Sequence, residues 1–273
     1  MPVQYAPHVT IYADLYRYRE LFANLWRRDL RAKYKGSVLG LAWSLANPAL
    51  LMGVYLFVFS VLWANDSIPY YPLYLLAGLA LWVFFSTSLQ TASRSMLDSA
   101  ELIKKIRFPR QLVPLSLVAT QLVTFAVMLG VLIVADAVVI PATRDTVWIA
   151  IPVALLVVCF TAGIALVLAS LNVLFRDVEH ILAAALLPWF FLTPILWRTE
   201  QVPESIRRHD ALMTALEWVN PVAPVVRTLR EPLWAGNPPA AGDLAYTVVA
   251  AVVALLAGAF VFSRVDDRIA VEL

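Results

Sequence analysis

Long uncharged stretches alternate with short polar ones along almost the whole chain. Apolar runs cover residues 38–63, 72–97, 111–140, 146–171, 181–197 and 244–263. About 20 predominantly apolar residues suffice to cross a bilayer as a helix, so the pattern predicts an all-α, polytopic membrane protein with six transmembrane helices. The first run, Val38 to Trp63, rises about 39 Å as a helix, enough to span with a tilt or with a kink at Asn47-Pro48. A turn at 64–69 pairs it with the second run. The fifth run is short and is interrupted by Pro188 and Pro194. Residues 1–37 form an N-terminal region and 38–273 the transmembrane domain.

The polar connections carry their own pattern. Within 14–30, Leu15, Tyr18, Leu21, Phe22, Leu25, Trp26 and Leu30 share one half of a helical wheel, and Arg17, Arg27, Arg28 and Arg31 the other. This is an amphipathic helix suited to the headgroup layer, with its basic side outward. Asp29 interrupts the apolar stripe, four residues before a possible partner in Lys33. Asp98 and Glu101 have capping-box spacing and open a short helix, 98–108, closed by Pro109. Between 198 and 243, helical stretches at Asp210 to Val219 and Val222 to Leu233 flank Asn220-Pro221, as a lid or a structured loop.

Composition agrees: 61% of the 273 residues are hydrophobic and 15% charged, with mean hydropathy +0.76, which excludes an ordinary water-soluble globule. Fifteen Lys and Arg fall on one side of the alternating connections and six on the other, so both termini are expected in the cytoplasm. Nucleic acid is not an expected partner. Cys159 is the single cysteine, so no intrachain disulfide can form.

No P-loop, zinc spacing or nucleophile elbow occurs, so catalysis and nucleotide hydrolysis are not expected of this chain, and neither is a metal. An ion-coupled carrier needs ionisable groups deep in its spans. Asp136, near the end of the third run, is the clear candidate, against the simpler reading of an interfacial carboxylate. Otherwise energy arrives from another chain. The basic helix 98–108 fits that role: Leu102, Ile103 and Ile106 can fill a groove while Lys104, Lys105 and Arg107 pair with acids at its rim. A basic loop resting on anionic lipid fits the same composition.

Aromatics make up 12% of the chain. Many belong to an interfacial belt, and others can line a conduit offering flat apolar faces to sugars. Tyr55, Phe59, Tyr74, Trp82, Phe85 and Trp189 are the candidates for that lining.

Several segments together resemble a known family. Trp26-Arg27-Arg28-Asp29-Leu30-Arg31-Ala32-Lys33-Tyr34-Lys35-Gly36, then Trp43 and Asn47-Pro48, resemble the N-terminal signature of ABC-2 permeases that export cell-surface polysaccharides. Lys104-Lys105-Ile106-Arg107-Phe108-Pro109 is similar to their coupling-helix region. Asn172 with Phe175, Arg176 and Asp177 resembles a further family motif, and Thr193-Pro194-Ile195, Asn220-Pro221 and Arg230 follow in the expected order. Thr193 stands where Ser is more usual. The resemblance implies a homodimer of six-helix subunits enclosing a channel in the bacterial plasma (inner) membrane. It also implies two copies of a separate ATPase, which carry the ATP and Mg. The ATPase contacts would be the interface helix Tyr16 to Ala32, including Leu21, Phe22, Leu25, Trp26, Arg27 and Arg28, and the coupling helix Asp98 to Phe108, including Glu101 to Phe108. Helices within Pro203 to Trp234, carrying Asn220, Pro221, Arg227 and Arg230, would form an outer gate. The implied cargo is a glycan on a polyprenyl pyrophosphate, such as O-antigen, teichoic acid or galactan. A drug or other lipid is the alternative cargo.

Overall fold

The computed structural model describes residues 16–37, 40–58, 68–106 and 108–272. Among them the regular structure is helical. Among the described residues, four helices are long and apolar enough to cross a membrane: α3 (Tyr71–Asp98), α5 (Leu112–Val139), α6 (Ala150–Leu174) with the turn before it, and α11 (Ala241–Glu272). They correspond to the second, third, fourth and sixth apolar runs. The first run is represented by α2 (Trp43–Leu56), and the turn expected at 64–69 falls mostly outside the described residues.

The fifth run takes a different form. It becomes α7 (Asp177–Leu192), a 16-residue helix containing Pro188, and the chain then breaks at Thr193-Pro194. A helix of that length rises about 24 Å, short of the roughly 30 Å hydrocarbon thickness. The proline-rich stretch therefore gives a helix that ends in an irregular turn.

α6 and α11 form the tightest helix pair. Gly163 and Gly258 face each other where the backbones meet, and a side-chain carbon built on Gly163 would fall on the Ala254 carbonyl group. In lipid no hydrophobic force drives helices together, so close backbone approach through small residues carries the association. α3 packs on both α5 and α6, with Leu75, Leu89, Leu132, Val157 and Ala165 fully enclosed. Several polar residues on these helices satisfy themselves locally. Thr87, Thr91, Thr120, Thr161 and Ser170 each donate to the carbonyl one helical turn back.

The short elements cap the two ends of this bundle. At one end lie α1 (Arg19–Tyr34) and α4 (Ala100–Lys105). Gly36 stops α1 with φ +77°, a conformation open to glycine without strain. At the opposite end lie α8 (Glu204–Arg207), α9 (Asp210–Thr214, continuing as a π turn to Val219) and α10 (Val222–Arg230, continuing likewise to Ala235). The helical stretches expected on either side of Asn220-Pro221 are thus present.

Candidate functional site

At the first end, α1 lies along α5 by its apolar face, with Leu25 buried and Leu21, Phe22 and Trp26 half-buried, while Arg27 and Arg28 are exposed. Its polar anchors differ from the expected Asp29–Lys33 pair. Asp29 pairs with Arg28 at 2.8 Å and accepts a 2.7 Å hydrogen bond from the Ser116 hydroxyl. The Lys33 ammonium instead donates to Gln121 Oε1 at 2.7 Å and Thr124 Oγ1 at 2.8 Å. The physical reason is that α5 offers polar groups to the same face of α1 that Asp29 and Lys33 occupy. The outward side carries Asn24, Arg27, Arg28, Arg31 and Lys35 around an open cleft.

α4 is shorter than expected, because Asp98 is the last residue of α3 rather than a cap. Ser99 takes the cap position without a side-chain bond, and Glu101 pairs with Lys105 at 3.0 Å instead of reaching back. Its apolar residues also divide. Ile103 is 8% exposed, in a cluster with Met96, Val113, Val173 and Phe262, whereas Ile106 is 52% exposed. Leu102 is half-buried, Lys104 and Lys105 are exposed, Phe108 packs beside the Ile103 cluster, and Arg107 lies outside the described residues. Ile103 therefore fastens α4 to its own chain and leaves Ile106 on the surface.

Three contacts fix this end to the bundle. Arg94 pairs with Glu179 at 2.7 Å, and Arg110 pairs with the Asp266 carboxylate at 3.0 Å and also donates to its carbonyl. Asn172, fully buried, donates to the Ser93 carbonyl at 3.0 Å and accepts from the Glu179 amide at 3.0 Å. One side chain thereby joins α3, the end of α6 and the start of α7. Arg176 and Asp177, from the same motif, are exposed.

At the opposite end the break after α7 is held from several sides. Tyr71 and Tyr74 donate to the Leu196 and Trp197 carbonyls at 3.0 and 2.8 Å. Arg230 donates to the Pro194 and Ile195 carbonyls at 2.8 and 3.2 Å. Asn220 accepts from Trp189 Nε1 at 2.8 Å and donates to Thr193 Oγ1 at 3.0 Å, while Pro221 leads directly into α10. On the outer side of α10, Arg227 pairs with Asp243 at 2.6 Å. The helices α7, α10 and α11 are thus tied at one junction by uncharged carbonyls and a few charged groups.

Tyr74, Trp82 and Phe85, expected on a channel wall, do not face an open surface of the single chain. Each is at most 8% exposed. Trp82, Phe85, Trp189 and Phe190 interlock with centroid separations from 5.4 to 6.3 Å, and Tyr55 adds to the edge at 5.8 Å from Phe190. Facing surfaces of α3 and α7 bring these rings together, and edge-to-face packing rewards the meeting. Phe59 lies outside the described residues. Asp136 is also enclosed, at 0% exposure, and both carboxylate oxygens lack a hydrogen-bond partner among the described residues.

Residues 20–234 match the ABC-2 type transporter family, most of the chain and both ends of the site. The chain belongs to the ABC-2 type transporter family. It is 33% identical over 265 residues to the O-antigen export system permease protein RfbA of Myxococcus xanthus, covering 96% of this chain and 98% of that protein. It is likewise 33% identical over 217 residues to the O-antigen export system permease protein RfbA of Klebsiella pneumoniae, covering 78% and 79%. With its long apolar helices, this ABC-2 chain is a multi-pass membrane protein. The sequence pattern did not single out Tyr71 or Asp243 as parts of the ABC-2 site. Tyr71 sits in an aromatic run, and Asp243 is a lone acid at the start of an apolar run, so neither stands out until its distant partner is known.

Proposed function

We propose that this chain is the membrane permease subunit of an ATP-driven exporter that moves lipid-linked O-antigen polysaccharide across the bacterial inner membrane. Two copies enclose the channel, and two copies of a separate ATPase bind their cytoplasmic face and supply the ATP and Mg. The chain itself performs no catalysis. The carrying observation is the similarity to O-antigen export permeases along nearly the full length of both proteins.

The geometry supports a division of labour. The end with α1 and α4 has the excess of Lys and Arg expected on a cytoplasmic face, and it presents Ile106, Lys104 and Lys105 outward. The ATPase grips α4 there. Because Ile103, Arg110 and Asn172 fasten α4 and its neighbours to α3, α6, α7 and α11, a push on α4 moves the long helices together. At the other end α9 and α10 form the outer gate, hinged at Asn220-Pro221. Glycan on a polyprenyl pyrophosphate passes between the two protomers.

The test is deletion of the chain in its native bacterium, with blotting of surface polysaccharide and affinity purification of the tagged chain. Loss of surface polymer, with intracellular lipid-linked glycan accumulating and a P-loop ATPase co-purifying, is the expected result. Undiminished surface polymer overturns the reading.

A further inference from the structure

Trp218, at the end of the π turn that follows α9, is 41% exposed although it packs against two neighbours. The guanidinium of Arg227 lies 5.5 Å from its ring centre, and the Tyr246 ring is 5.9 Å away. The Tyr246 hydroxyl donates to the Trp218 carbonyl at 2.9 Å, fixing the backbone that carries the indole. Arg227 is held in turn by Asp243, through Nε at 3.0 Å and Nη2 at 2.6 Å. An aromatic ring on a short surface helix is seldom fixed so thoroughly unless packing requires it, and here two-fifths of the residue stays open.

Beside this indole is a cleft of about 440 Å³, lined by Trp218, Arg207, Glu217, Arg227 and Asp243. Gly242 also lines it: a side-chain carbon there would touch the edge of the Trp218 ring at 3.7 Å, and a branched side chain would extend beyond that contact. The third nitrogen of Arg227, Nη1, is a buried donor with no partner among the described residues. Buried donors are nearly always satisfied, so Arg227, which lines the cleft, is one acceptor short within the described residues. Carboxylates at Glu217 and Asp243 supply acceptors on the same wall.

We propose that this cleft is a saccharide-binding subsite for a neutral glycan. A pyranose ring has an apolar face of C–H groups and a rim of hydroxyls that both donate and accept. The cleft matches it with one fixed aromatic face and a few oriented polar groups, the composition of a small-ligand site. The acids facing the cleft balance its arginines, which disfavours a highly charged ligand. The subsite rests on the proposed export of a glycan and deepens it: the polymer is held at the outer gate, beside Arg227 and Asp243 rather than at the Arg230 junction.

The experiment uses the full chain in lipid nanodiscs on a printed array of neutral oligosaccharides. Binding to at least one neutral glycan is expected. It weakens ten-fold or more in Trp218→Ala and in Gly242→Val, survives in Trp218→Tyr, and is unchanged in Trp148→Ala, an exposed tryptophan elsewhere. Gly242→Val reads the cleft alone should Trp218→Ala accumulate poorly. No array binding, or binding indifferent to both cleft variants, overturns the subsite. The deletion strain separates the two ideas: lost surface polymer without array binding removes only the subsite, whereas retained polymer removes the export reading itself.

Discussion

The guanidinium of Arg230 lies 3.7 Å from the ring centre of Tyr74, on a helix far earlier in the chain, while two of its nitrogens bond the carbonyls of Pro194 and Ile195. No carboxylate pairs with it among the described residues. A buried cation without a counter-ion is costly unless its donors are satisfied and its charge is met by a π face. Arg230 meets the second condition and most of the first, Nε alone among its nitrogens lacking a partner among the described residues, and so ties α10, the break after α7 and α3 at one point.

Removing that tie should loosen the outer end without unfolding the long helices. Hydrogen bonds to charged groups are worth about 1.5–3 kcal/mol each, and a chain of this size shifts about 2–4 °C per kcal/mol. Arg230→Ala is expected to lower the melting temperature of the purified chain by about 6–24 °C. Arg230→Lys recovers little of this, because one ammonium cannot reproduce the planar fork to two carbonyls. Gly78 supplies an independent check: a side-chain carbon there would fall on Nη2 of Arg230, so Gly78→Ala should mimic part of the loss. Unchanged melting in both Arg230→Ala and Gly78→Ala would sink the assignment.

The coupling helix yields a contrast between neighbours. Ile106→Asp changes an exposed residue, so folding and membrane level should stay near wild type while ATPase co-purification and surface polymer fall at least five-fold. Ile103→Asp buries a carboxylate among Met96, Val113, Val173 and Phe262, and should lower the amount of folded chain before any question of partner binding arises. Size-exclusion profiles and pull-down yields separate the two. Equal behaviour of the pair contradicts the division between anchoring and docking faces.

Much of the architecture was legible in the apolar runs, because a bilayer demands about twenty such residues per crossing whatever their partners. α3, α5, α6 and α11 follow from that demand alone. The breakpoint at Asn220-Pro221 was equally readable, since proline punctuates helices locally. The site was legible only in outline. Aromatic composition does not distinguish a belt, a channel wall and a packed interior, and Trp82 and Phe85 proved to be interior because α7 brings Trp189 and Phe190 against them. Lys33 and Asp29 have helical pairing distance, yet α5 offers each a better partner from across the fold. The capping-box spacing at Asp98 and Glu101 failed for a similar reason: with Ser95 and Met96 buried against neighbouring helices, α3 runs through Asp98, which therefore closes one helix instead of capping the next.

Asn172 allows a test of how the fold transmits force. Replacing it by Ala leaves the Ser93 carbonyl and the Glu179 amide without their partner, at a cost of about 1–3 kcal/mol per buried group. Asn172→Asp keeps an acceptor for the Glu179 amide but presents a carboxylate to the Ser93 carbonyl, so it should be at least as damaging. Both variants are expected to reduce export more than ATPase binding, because α4 remains in place while the link of α3 to α6 and α7 is weakened. Wild-type surface polymer in Asn172→Ala would show that the staple is dispensable.

The last prediction concerns the helix pair that supports everything else. At Gly163 and Gly258 the backbones of α6 and α11 meet so closely that any side chain must push them apart. Gly163→Val should separate the helices, and the displaced α11 then loses the Arg110–Asp266 bond at one end and the Thr228–Thr247 contact, 3.0 Å long, at the other. Thermal aggregation of detergent-solubilised chain should begin at least 10 °C earlier, with protease access to the α6–α11 seam. Gly130, whose surroundings are open, is the control, and Gly130→Val should leave both readouts near wild type. If the two valine variants behave alike, close packing at the glycine crossing is not what holds α11 in place.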